Sequence, residues 1–241
     1  MPLKNLFLLF LPVYFFSCSP TNHQPSKRIL VFSKTSGYRH ESIANGKAMF
    51  LEMAGQWQAV VDTTEDAGLF TVENLSRYKT VVFLNTTGDA LNDKEQLALQ
   101  HFIREGGGFL GIHAAADTEF EWPWYNQLVG AYFASHPKPQ HLDYIVTESN
   151  HPAVKHWYPK TNRMEEIYDF KSVQKDMIKV IMLADEKTYD GGSMGDWHPA
   201  AWYHHFDGGK SFYTALGHLP ETYADPAFRT HISGALEWLW Q

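Results

Sequence analysis

The chain has 241 residues, of which 44% are hydrophobic and 20% are charged. This composition is typical of one globular domain with a single large core. The formal net charge of -7 gives the chain no overall basic field, which argues against a nucleic-acid partner. The aromatic content of 15% suits core packing as well as stacking on sugar rings, and composition leaves both uses open.

The start of the chain is typical of a signal for export. Lys4 precedes an apolar run over residues 6–16 that is too short to span a membrane, and Ser17-Cys18 follows it. A small residue before a single cysteine resembles a bacterial lipoprotein signal, with Cys18 as the lipidated first residue of the mature chain. Phe15 stands where leucine is usual, so secretion without a lipid anchor stays open.

These features divide the chain into three parts. We expect a lipoprotein-type signal peptide over residues 1–18, a disordered tether over 19–27 and one α/β domain over 28–241. The tether prediction depends on the serine, threonine, asparagine and proline content of that segment. The expected location is the cell envelope, in the periplasm or at the outer membrane, with the membrane contacted only through the lipid anchor.

Short apolar runs alternate with helical patterns in the first half of the domain. Strands are predicted over residues 28–33, 57–62 and 80–84, and a helix over 43–54. Asn92 and Glu95 have the spacing of a capping box, which predicts the start of the next helix. Strands that alternate with helices indicate a parallel sheet that is covered on both faces.

The glycine-rich stretch from Gly106 to His113 ends that helix and opens a buried strand. Its G-x-G-x-x-G spacing matches the dinucleotide fingerprint, but that fingerprint follows a strand and opens a helix, which is the reverse of the order here. We therefore expect no nucleotide cofactor. Ligands of open α/β sheets bind at the carboxyl ends of the strands, so His113 is predicted to lie at a ligand site.

The second half of the chain is less regular. A helix is predicted over residues 122–131, strands over 142–147, 179–183, 200–206 and 211–216, and a final helix after Asp225-Pro226. We find no repeat and no internal linker. The whole pattern predicts an α/β fold, a single domain with a mostly parallel sheet flanked by helices.

Seven short motifs carry a resemblance to a known family. They are Gly-Tyr-Arg-His (37–40), Gly-Gly-Gly-Phe-Leu-Gly-Ile-His (106–113), Ser-His-Pro (135–137), Asn-His-Pro (150–152), Glu-Ile-Tyr (166–168), His-Pro-x-x-Trp (198–202) and Ala-Leu-Gly-His (215–218). In this order they resemble the ThuA-like (trehalose-utilisation) family, a branch of the class I glutamine amidotransferase-like fold, over residues 28–240. The resemblance implies a flavodoxin-like sheet and a role in carbohydrate metabolism.

The resemblance bears directly on His113. In glutamine amidotransferases the turn after the glycine-rich strand carries a cysteine nucleophile, and here that position is His113. Cys18 is the only cysteine of the chain and belongs to the signal, so no thioester forms and glutaminase activity is excluded. A serine hydrolase is excluded as well, because the chain has no Gly-x-Ser-x-Gly motif.

An imidazole in this position serves as a general base or as a metal ligand. His40, His136 and His218, like His198, also fall in loops at predicted strand ends. We therefore predict a divalent cation with His40, His113, His136 and His218 as ligands, and the sequence does not distinguish Zn, Mn, Ni, Fe and Ca. Each of these histidines also fits a hydrogen-bonded structural role, since no local motif such as His-Glu-x-x-His is present.

Other side chains near the motifs complete the predicted site. The predicted catalytic residues are His113, Glu166 and Tyr168, the last two on one face of a strand. On sequence alone, Glu166 also fits the role of an acidic residue exposed to solvent. The residues predicted to bind substrate are Lys34, Arg39, Asp117, Trp122 and Trp124. Asp117 also has the position to orient the His113 ring or to cap the next helix.

Three functions are compatible with these residues. The first is an enzyme that performs metal-assisted acid–base chemistry on keto-sugars or 3-keto-glycosides, by elimination, hydrolysis or isomerisation. The second is a non-catalytic, envelope-tethered sugar-binding protein. The third is a glycosidase with two carboxylates, for which the sequence shows no second partner for Glu166. In each case the partner is a small carbohydrate, and the sequence does not indicate an oligomeric state.

Overall fold

The computed structural model describes residues 27–241. The predicted signal peptide with Cys18, and the predicted tether up to residue 26, lie outside the described residues. The first strand begins at Lys27, one residue before the expected start of the domain. Among residues 27–241, no helix is both long enough and apolar enough to cross a membrane.

The described part of the chain contains eleven strands and five α-helices. The strands are β1 (Lys27–Phe32), β2 (Ala59–Thr64), β3 (Thr80–Leu84), β4 (Gly108–Ile112), β5 (Tyr132–Ser135), β6 (Gln140–Val146), β7 (Lys160–Glu165), β8 (Asp169–Lys171), β9 (Lys179–Asp185), β10 (Pro199–Phe206) and β11 (Gly209–Thr214). The helices are α1 (Ile43–Met53), α2 (Val72–Leu75), α3 (Asp93–Arg104), α4 (Pro123–Val129) and α5 (Pro226–Trp240).

Nine strands form one sheet in the order β2-β1-β3-β4-β11-β10-β9-β6-β7. The first five of these run parallel to one another. β3 and β4 are buried along their whole length, as expected for parallel strands that are covered on both faces. The carboxyl ends of β1, β3, β4 and β11 therefore open at one edge of the sheet, which we call the carboxyl edge.

The other four strands extend the sheet with antiparallel pairs. A separate two-stranded sheet is formed by β5 and β8, also antiparallel. Motif residues 135–137 begin at the end of β5, and residues 166–168 come directly before β8. The β5–β8 pair therefore brings together two motifs that are far apart in the sequence.

The predicted fold, a single α/β domain with a mostly parallel sheet flanked by helices, is confirmed. Asn92 caps α3 in a capping box that Glu95 completes, and Asp225 caps α5 with Pro226 in its first turn. The antiparallel half was not anticipated. β6 and β7 alternate between more and less exposed residues, a pattern that identifies a strand but not the neighbour it pairs with.

Two predicted elements differ from the structure. β2 begins at Ala59 rather than at residue 57, because Trp57 is buried in the core and Gln58 turns the backbone with a φ of 52°. Glu166 and Tyr168 do not share a strand face as predicted. They lie in the break between β7 and β8, and both nevertheless line one cavity.

Candidate active site at the carboxyl edge

A cavity of about 400 Å³ opens among the loops at the carboxyl edge. It is lined by Tyr38, His40, Asp117, Phe133, His136, Glu166, Tyr168 and His218. His113 is fully buried against this cavity, with its ring centre 4.2 Å from that of Tyr168 and 4.9 Å from that of His40. The loops that follow the parallel strands thus bring together motifs from both halves of the chain.

His113 is held in place by the end of the neighbouring strand. It follows β4 directly with a φ of 47°, which turns the chain sharply. Its Nδ1 lies 2.8 Å from the carbonyl oxygen of Ala215. A carbonyl oxygen only accepts hydrogen bonds, so Nδ1 carries a proton and donates it in this contact. Nε2 lies 3.5 Å from Oε2 of Glu166.

Three imidazoles surround the carboxylate of Glu166. Oε2 lies 3.5 Å from Nε2 of His113 and 3.0 Å from Nδ1 of His218. Oε1 lies 3.0 Å from Nδ1 of His136. Burial favours the protonated acid, but His113 and His218 outweigh it and hold the pKa of Glu166 well below its usual range. Glu166 is therefore ionised at neutral pH.

His40 and His218 respond in opposite ways to these surroundings. Burial, together with His113 and His218, lowers the pKa of His40 to about 3, so this ring is neutral at pH 7. Burial also acts to lower the pKa of His218, but the adjacent Glu166 carboxylate outweighs it and raises that pKa. Burial raises the pKa of Tyr168 far above its usual range, and the hydroxyl of this phenol lies 3.4 Å from Nε2 of His40.

Four of these side chains have the arrangement of a metal site. His40, His113, Glu166 and His218 each offer one ligand atom, and the four atoms lie within 4.8 Å of one another. Three ring nitrogens in this group, Nδ1 of His40, Nε2 of His113 and Nδ1 of His218, are buried and lack a hydrogen bond of regular geometry among the described residues. Three imidazoles and one carboxylate form a donor set that suits a divalent metal.

The predicted ligand set is therefore partly reproduced by the structure. His40, His113 and His218 are brought together, and Glu166 is their fourth partner. His136 lies outside this group: it contacts the other oxygen of Glu166, and 42% of its side chain is exposed. Its place at the mouth of the cavity suits contact with a ligand.

A comparison with protein families assigns the chain to one group of proteins. The sequence model of the ThuA family, described as trehalose utilisation, matches residues 28–239. The chain belongs to the ThuA family. A search of curated proteins finds no match.

Solved structures of ThuA-like proteins share this fold. A ThuA-like protein from Bacteroides uniformis is 22% identical with a TM-score of 0.76, and the alignment covers 92% of this chain and 95% of that one. One from Parabacteroides merdae is 19% identical with a TM-score of 0.74, over 90% and 91% of the two chains. A β-galactosidase from Bacillus circulans is 10% identical with a TM-score of 0.59, over 89% of this chain and 31% of that enzyme. At these identities, the likeness shows the fold alone.

The buried residue Asn85, which the sequence analysis did not single out, holds the loops of this ThuA-family site together. It follows β3 with a φ of 50°. Its side-chain amide contacts Ser42, Gly217, Tyr223 and the backbone N–H of Ala114 at 3.0 to 3.3 Å. Three of these partners stand within two residues of His40, His113 or His218. The sequence feature that could have identified Asn85 is its position directly after a buried strand.

Glu165 has a similar part in the loop that carries His218. It is 1% exposed, and its carboxylate accepts the backbone N–H groups of Gly217 and His218, both at 3.1 Å, and the hydroxyl of Thr222 at 3.0 Å. Glu165 and Glu166 are neighbours in sequence, yet one supports the loop and the other faces the cavity. Sequence alone does not tell which carboxylate takes which role.

Four residues predicted to bind substrate do not line the cavity. Lys34 donates through Nζ to the carbonyl oxygen of Ala90 at 2.8 Å, and Arg39 forms two hydrogen bonds with Glu65. The rings of Trp122 and Trp124 stack on each other with centres 5.0 Å apart. Trp124 also donates to Asp207, in the turn before β11, which lies at the edge opposite the cavity. Closeness to the motifs in sequence does not predict that these residues lie away from the cavity. For the two tryptophans, the reason is that α4 runs back across the sheet.

Asp117 lines the cavity. It neither orients the His113 ring nor caps the next helix, the two structural roles that the sequence suggested. Ala215 orients the ring of His113, and Trp122 is the N-cap residue of α4. Within residues 27–241, no donor forms a hydrogen bond with the Asp117 carboxyl, whose neighbours are the charged groups of Lys171 and His136. The side chain is therefore free to meet a ligand.

A second group of a histidine and carboxylates supports Tyr168 from the side away from the cavity. Nε2 of His198 donates to the carbonyl oxygen of Tyr168, and Nδ1 lies 2.8 Å from Oε1 of Glu186. The Glu186 carboxylate also accepts the backbone N–H groups of Met194 and Gly195. Because these polar atoms are paired within the protein, we assign the group to holding the backbone of Tyr168.

Proposed function

We propose that this ThuA-family protein is an enzyme that performs metal-assisted acid–base chemistry on a keto-sugar or a 3-keto-glycoside. The reaction is an elimination, a hydrolysis or an isomerisation next to the ketone. The observation that carries the proposal is the convergence of His40, His113, Glu166 and His218 at the wall of one cavity. The family description, trehalose utilisation, supports a carbohydrate as substrate.

The chemistry of a ketone matches what these residues offer. A ketone in a sugar ring acidifies the C–H bonds of the carbons beside it, so a positioned base can remove a proton there. His40, His113, Glu166 and His218 would hold a divalent cation, which would supply a Lewis acid for the ketone oxygen. Three imidazole nitrogens favour a transition metal such as Zn, Ni or Fe over Ca, which prefers oxygen ligands.

The walls of the cavity suit a sugar ring. Its volume of about 400 Å³ lies in the range of small-molecule sites. Tyr38, which is 66% exposed, and Phe133 provide aromatic faces, and apolar sugar faces stack on such rings. His136 and Asp117 add polar groups that can bind hydroxyls.

The proposal is tested by metal content and turnover in the same preparation. We expect about one divalent ion per chain by elemental analysis, and cleavage or isomerisation of methyl 3-keto-glucopyranosides that a chelator abolishes. His113→Ala and His218→Ala should lose both the metal and the turnover. His156→Ala, which changes an exposed histidine away from the cavity, is the matched control and should keep both.

The other outcomes identify the alternatives. Sugar binding without metal and without turnover would replace the enzyme by the non-catalytic sugar-binding protein. Cleavage of ordinary glycosides that a chelator does not affect would favour a glycosidase with two carboxylates. If neither metal nor sugar binds, the proposal is wrong.

A further inference from the structure

A bound cation would leave only some of the titratable groups of the cavity able to accept a proton. Metal-bound imidazoles and carboxylates use their lone pairs for coordination, so the four residues of the cluster would not serve as the base. The other titratable side chains that line the cavity are Tyr38, Asp117, His136 and Tyr168. One of these four is the expected proton acceptor.

Three of the four are less suited to this task than Asp117. Burial raises the pKa of Tyr168 so far that its phenol stays protonated. Tyr38 is a phenol at the exposed rim. Nδ1 of His136 lies 3.0 Å from both the carbonyl oxygen of Pro137 and Oε1 of Glu166, two groups that only accept, so this nitrogen is engaged as a donor. Only Nε2 of this ring, whose side chain is 42% exposed, is left to accept a proton.

Asp117 has the geometry that the others lack. Its backbone carbonyl accepts the N–H of Gly88 at 2.8 Å, and the next residue, Thr118, bridges to Gly88 and contacts the hydroxyl of Thr86 at 2.9 Å. The backbone is therefore firmly held, while the carboxyl lines the cavity without a hydrogen bond from residues 27–241. This is the preorganisation that a proton-transfer group requires.

We propose that Asp117 is the general base of this cavity, accepting the proton from the carbon next to the ketone of a bound keto-sugar. The inference rests on the proposed function and deepens it. It also supplies the second carboxylate beside Glu166 that was not evident in the sequence.

Asp117 both accepts the proton and returns it, so the reaction needs no second proton donor. The Asp117 carboxylate takes the proton, the C–H electron pair forms a carbon–carbon double bond, and the carbonyl pair moves onto the ketone oxygen. In an elimination, the ketone re-forms and the glycosidic C–O bond breaks, with its electron pair leaving on oxygen. That oxygen takes the proton back from the Asp117 acid. The products are an unsaturated keto-sugar and an alcohol, and no oxidant or reductant is needed.

The electrostatic surroundings of Asp117 support this role. Burial raises the pKa of Asp117 to about 6, while Lys171 on β8 and His136 after β5 act in the opposite direction. Tyr168, on the β7–β8 break, faces it as a neutral phenol. A base with a pKa close to neutral is ionised at pH 7 and still takes up a proton readily. Two carboxylates with diverging pKa values, Glu166 low and Asp117 high, are typical of divided roles in a site.

The test follows the proton itself and does not require a leaving group. The probe is 3-keto-1,5-anhydroglucitol in D2O with the zinc-loaded protein, and the loss of the proton signals beside the ketone is followed by NMR. We expect Asp117→Asn to slow the exchange by about 100-fold or more, the usual contribution of a general base. Asp89→Asn, an exposed carboxylate near the same edge, is the matched control and should exchange at the wild-type rate.

Two further readouts separate a base from a structural residue. Asp117→Asn should bind zinc with wild-type stoichiometry and keep its melting temperature. The wild-type exchange rate should rise with pH and then level off as the base ionises, and this limb should disappear in Asp117→Asn. In addition, a ¹³C NMR titration of the Asp117 carboxyl in the metal-free wild type should show a midpoint near 6.

Each contrary result has a distinct meaning. Undiminished exchange in Asp117→Asn, or exchange that only His136→Gln removes, overturns the assignment and leaves the proposed function standing. A loss of zinc in Asp117→Asn also overturns it. A lack of exchange by the wild-type, zinc-loaded protein would remove the proposed function together with the assignment.

Discussion

Nδ1 of His113 lies 2.8 Å from the carbonyl oxygen of Ala215, across the ends of the neighbouring parallel strands β4 and β11. The contact is to the main chain, so it depends on the pairing of the strands and not on the side chain at position 215. It leaves Nε2 of His113 pointing toward Glu166. A histidine whose second nitrogen donates to a carbonyl is a common feature of metal sites, because the bond sets both tautomer and orientation.

Replacing Glu166 should change the protonation of His218. The Glu166 carboxylate raises the pKa of His218, whereas burial acts to lower it. In Glu166→Gln only the Glu165 carboxylate still acts against burial, so we expect the pKa of His218 to fall. An NMR titration of the metal-free protein measures this. Glu221→Gln, at an exposed position, is the control, and an unchanged His218 pKa in Glu166→Gln would contradict the prediction.

Asn85→Ala should destabilise the domain and loosen the site. It leaves the buried backbone N–H of Ala114 without its partner, and an unsatisfied buried group costs about 1–3 kcal/mol. The hydrogen bonds to Ser42 and Gly217 are lost as well, although these two groups stay bonded to each other. We also expect a loss of about 10–100-fold in zinc affinity, as for other outer-shell residues. Urea unfolding and calorimetry measure the two effects. Asn150→Ala, at an exposed asparagine, should change neither, and an Asn85→Ala protein with unaltered metal affinity would argue against this supporting role.

Gly217→Ala should destabilise the loop that carries His218. Gly217 has a φ of 118°, and a Cβ there would lie 2.8 Å from Cγ2 of Ile112 and from the hydroxyl of Tyr223. Backbone strain and overpacking together predict a loss of about 2–4 kcal/mol in the free energy of unfolding. Gly55→Ala meets no atom within 4 Å and serves as the control. Equal unfolding midpoints for the two variants would show that the loop adjusts at no cost.

The buried histidines should make the domain sensitive to acid. Burial lowers the pKa of His231 to about 4, and its Nδ1 lies 2.9 Å from the carbonyl oxygen of Ala153. The unfolded chain, with a histidine pKa of about 6.5, binds the proton more tightly, so stability is fully present above that pH and is lost as the pH falls toward 4. The expected loss from this residue is up to about 3 kcal/mol.

His231→Asn separates this titration from the other sources of acid sensitivity. The amide of asparagine can still donate to Ala153, but it does not titrate. We expect the variant to be less stable at pH 7, because the smaller side chain leaves a cavity, and to show a flatter decline of stability between pH 7 and pH 4 in urea titrations. An equally steep decline would mean that His231 does not contribute.

Cys18 should decide how the protein is attached in the cell. We propose that the chain is exported and carries a lipid on Cys18, so a bacterial host should incorporate a labelled fatty acid into the wild type and retain it with the membranes. Cys18→Ser should lose the label and the membrane association. Export without any label in the wild type would favour the secreted form instead, and a purely cytoplasmic location would contradict the export prediction.

The fold was largely predictable because its signals are local. The fully apolar runs of β1, β3 and β4, the capping box of Asn92 and Glu95, and the cap at Asp225 each depend on neighbouring residues. The start of β2 and the break between β7 and β8 were missed. Both depend on packing: Trp57 is buried in the core, and the chain beyond Glu166 forms β8, which pairs with β5.

The candidate site was predictable only in part. His40, His113 and His218 each follow a parallel strand, and the carboxyl ends of parallel strands meet at one edge, so their convergence follows from strand order. Strand order does not determine where the side chains in the neighbouring loops and helices point. Trp122 and Trp124 stand close to His113 in sequence, yet Trp124 contacts Asp207 at the opposite edge and Trp122 stacks on Trp124.

The amino-acid sequence by itself determined the α/β architecture, the family and the presence of histidine in place of a cysteine nucleophile, because hydrophobic period, caps and motif order are properties of the chain read locally. Only the tertiary structure decided that Glu166 faces three imidazoles while Glu165 holds a loop. It also decided that the Asp117 carboxyl lines the cavity with no hydrogen bond from the described part of the chain. These assignments depend on burial and on contacts between residues far apart in sequence, and such contacts exist only once the sheet has formed.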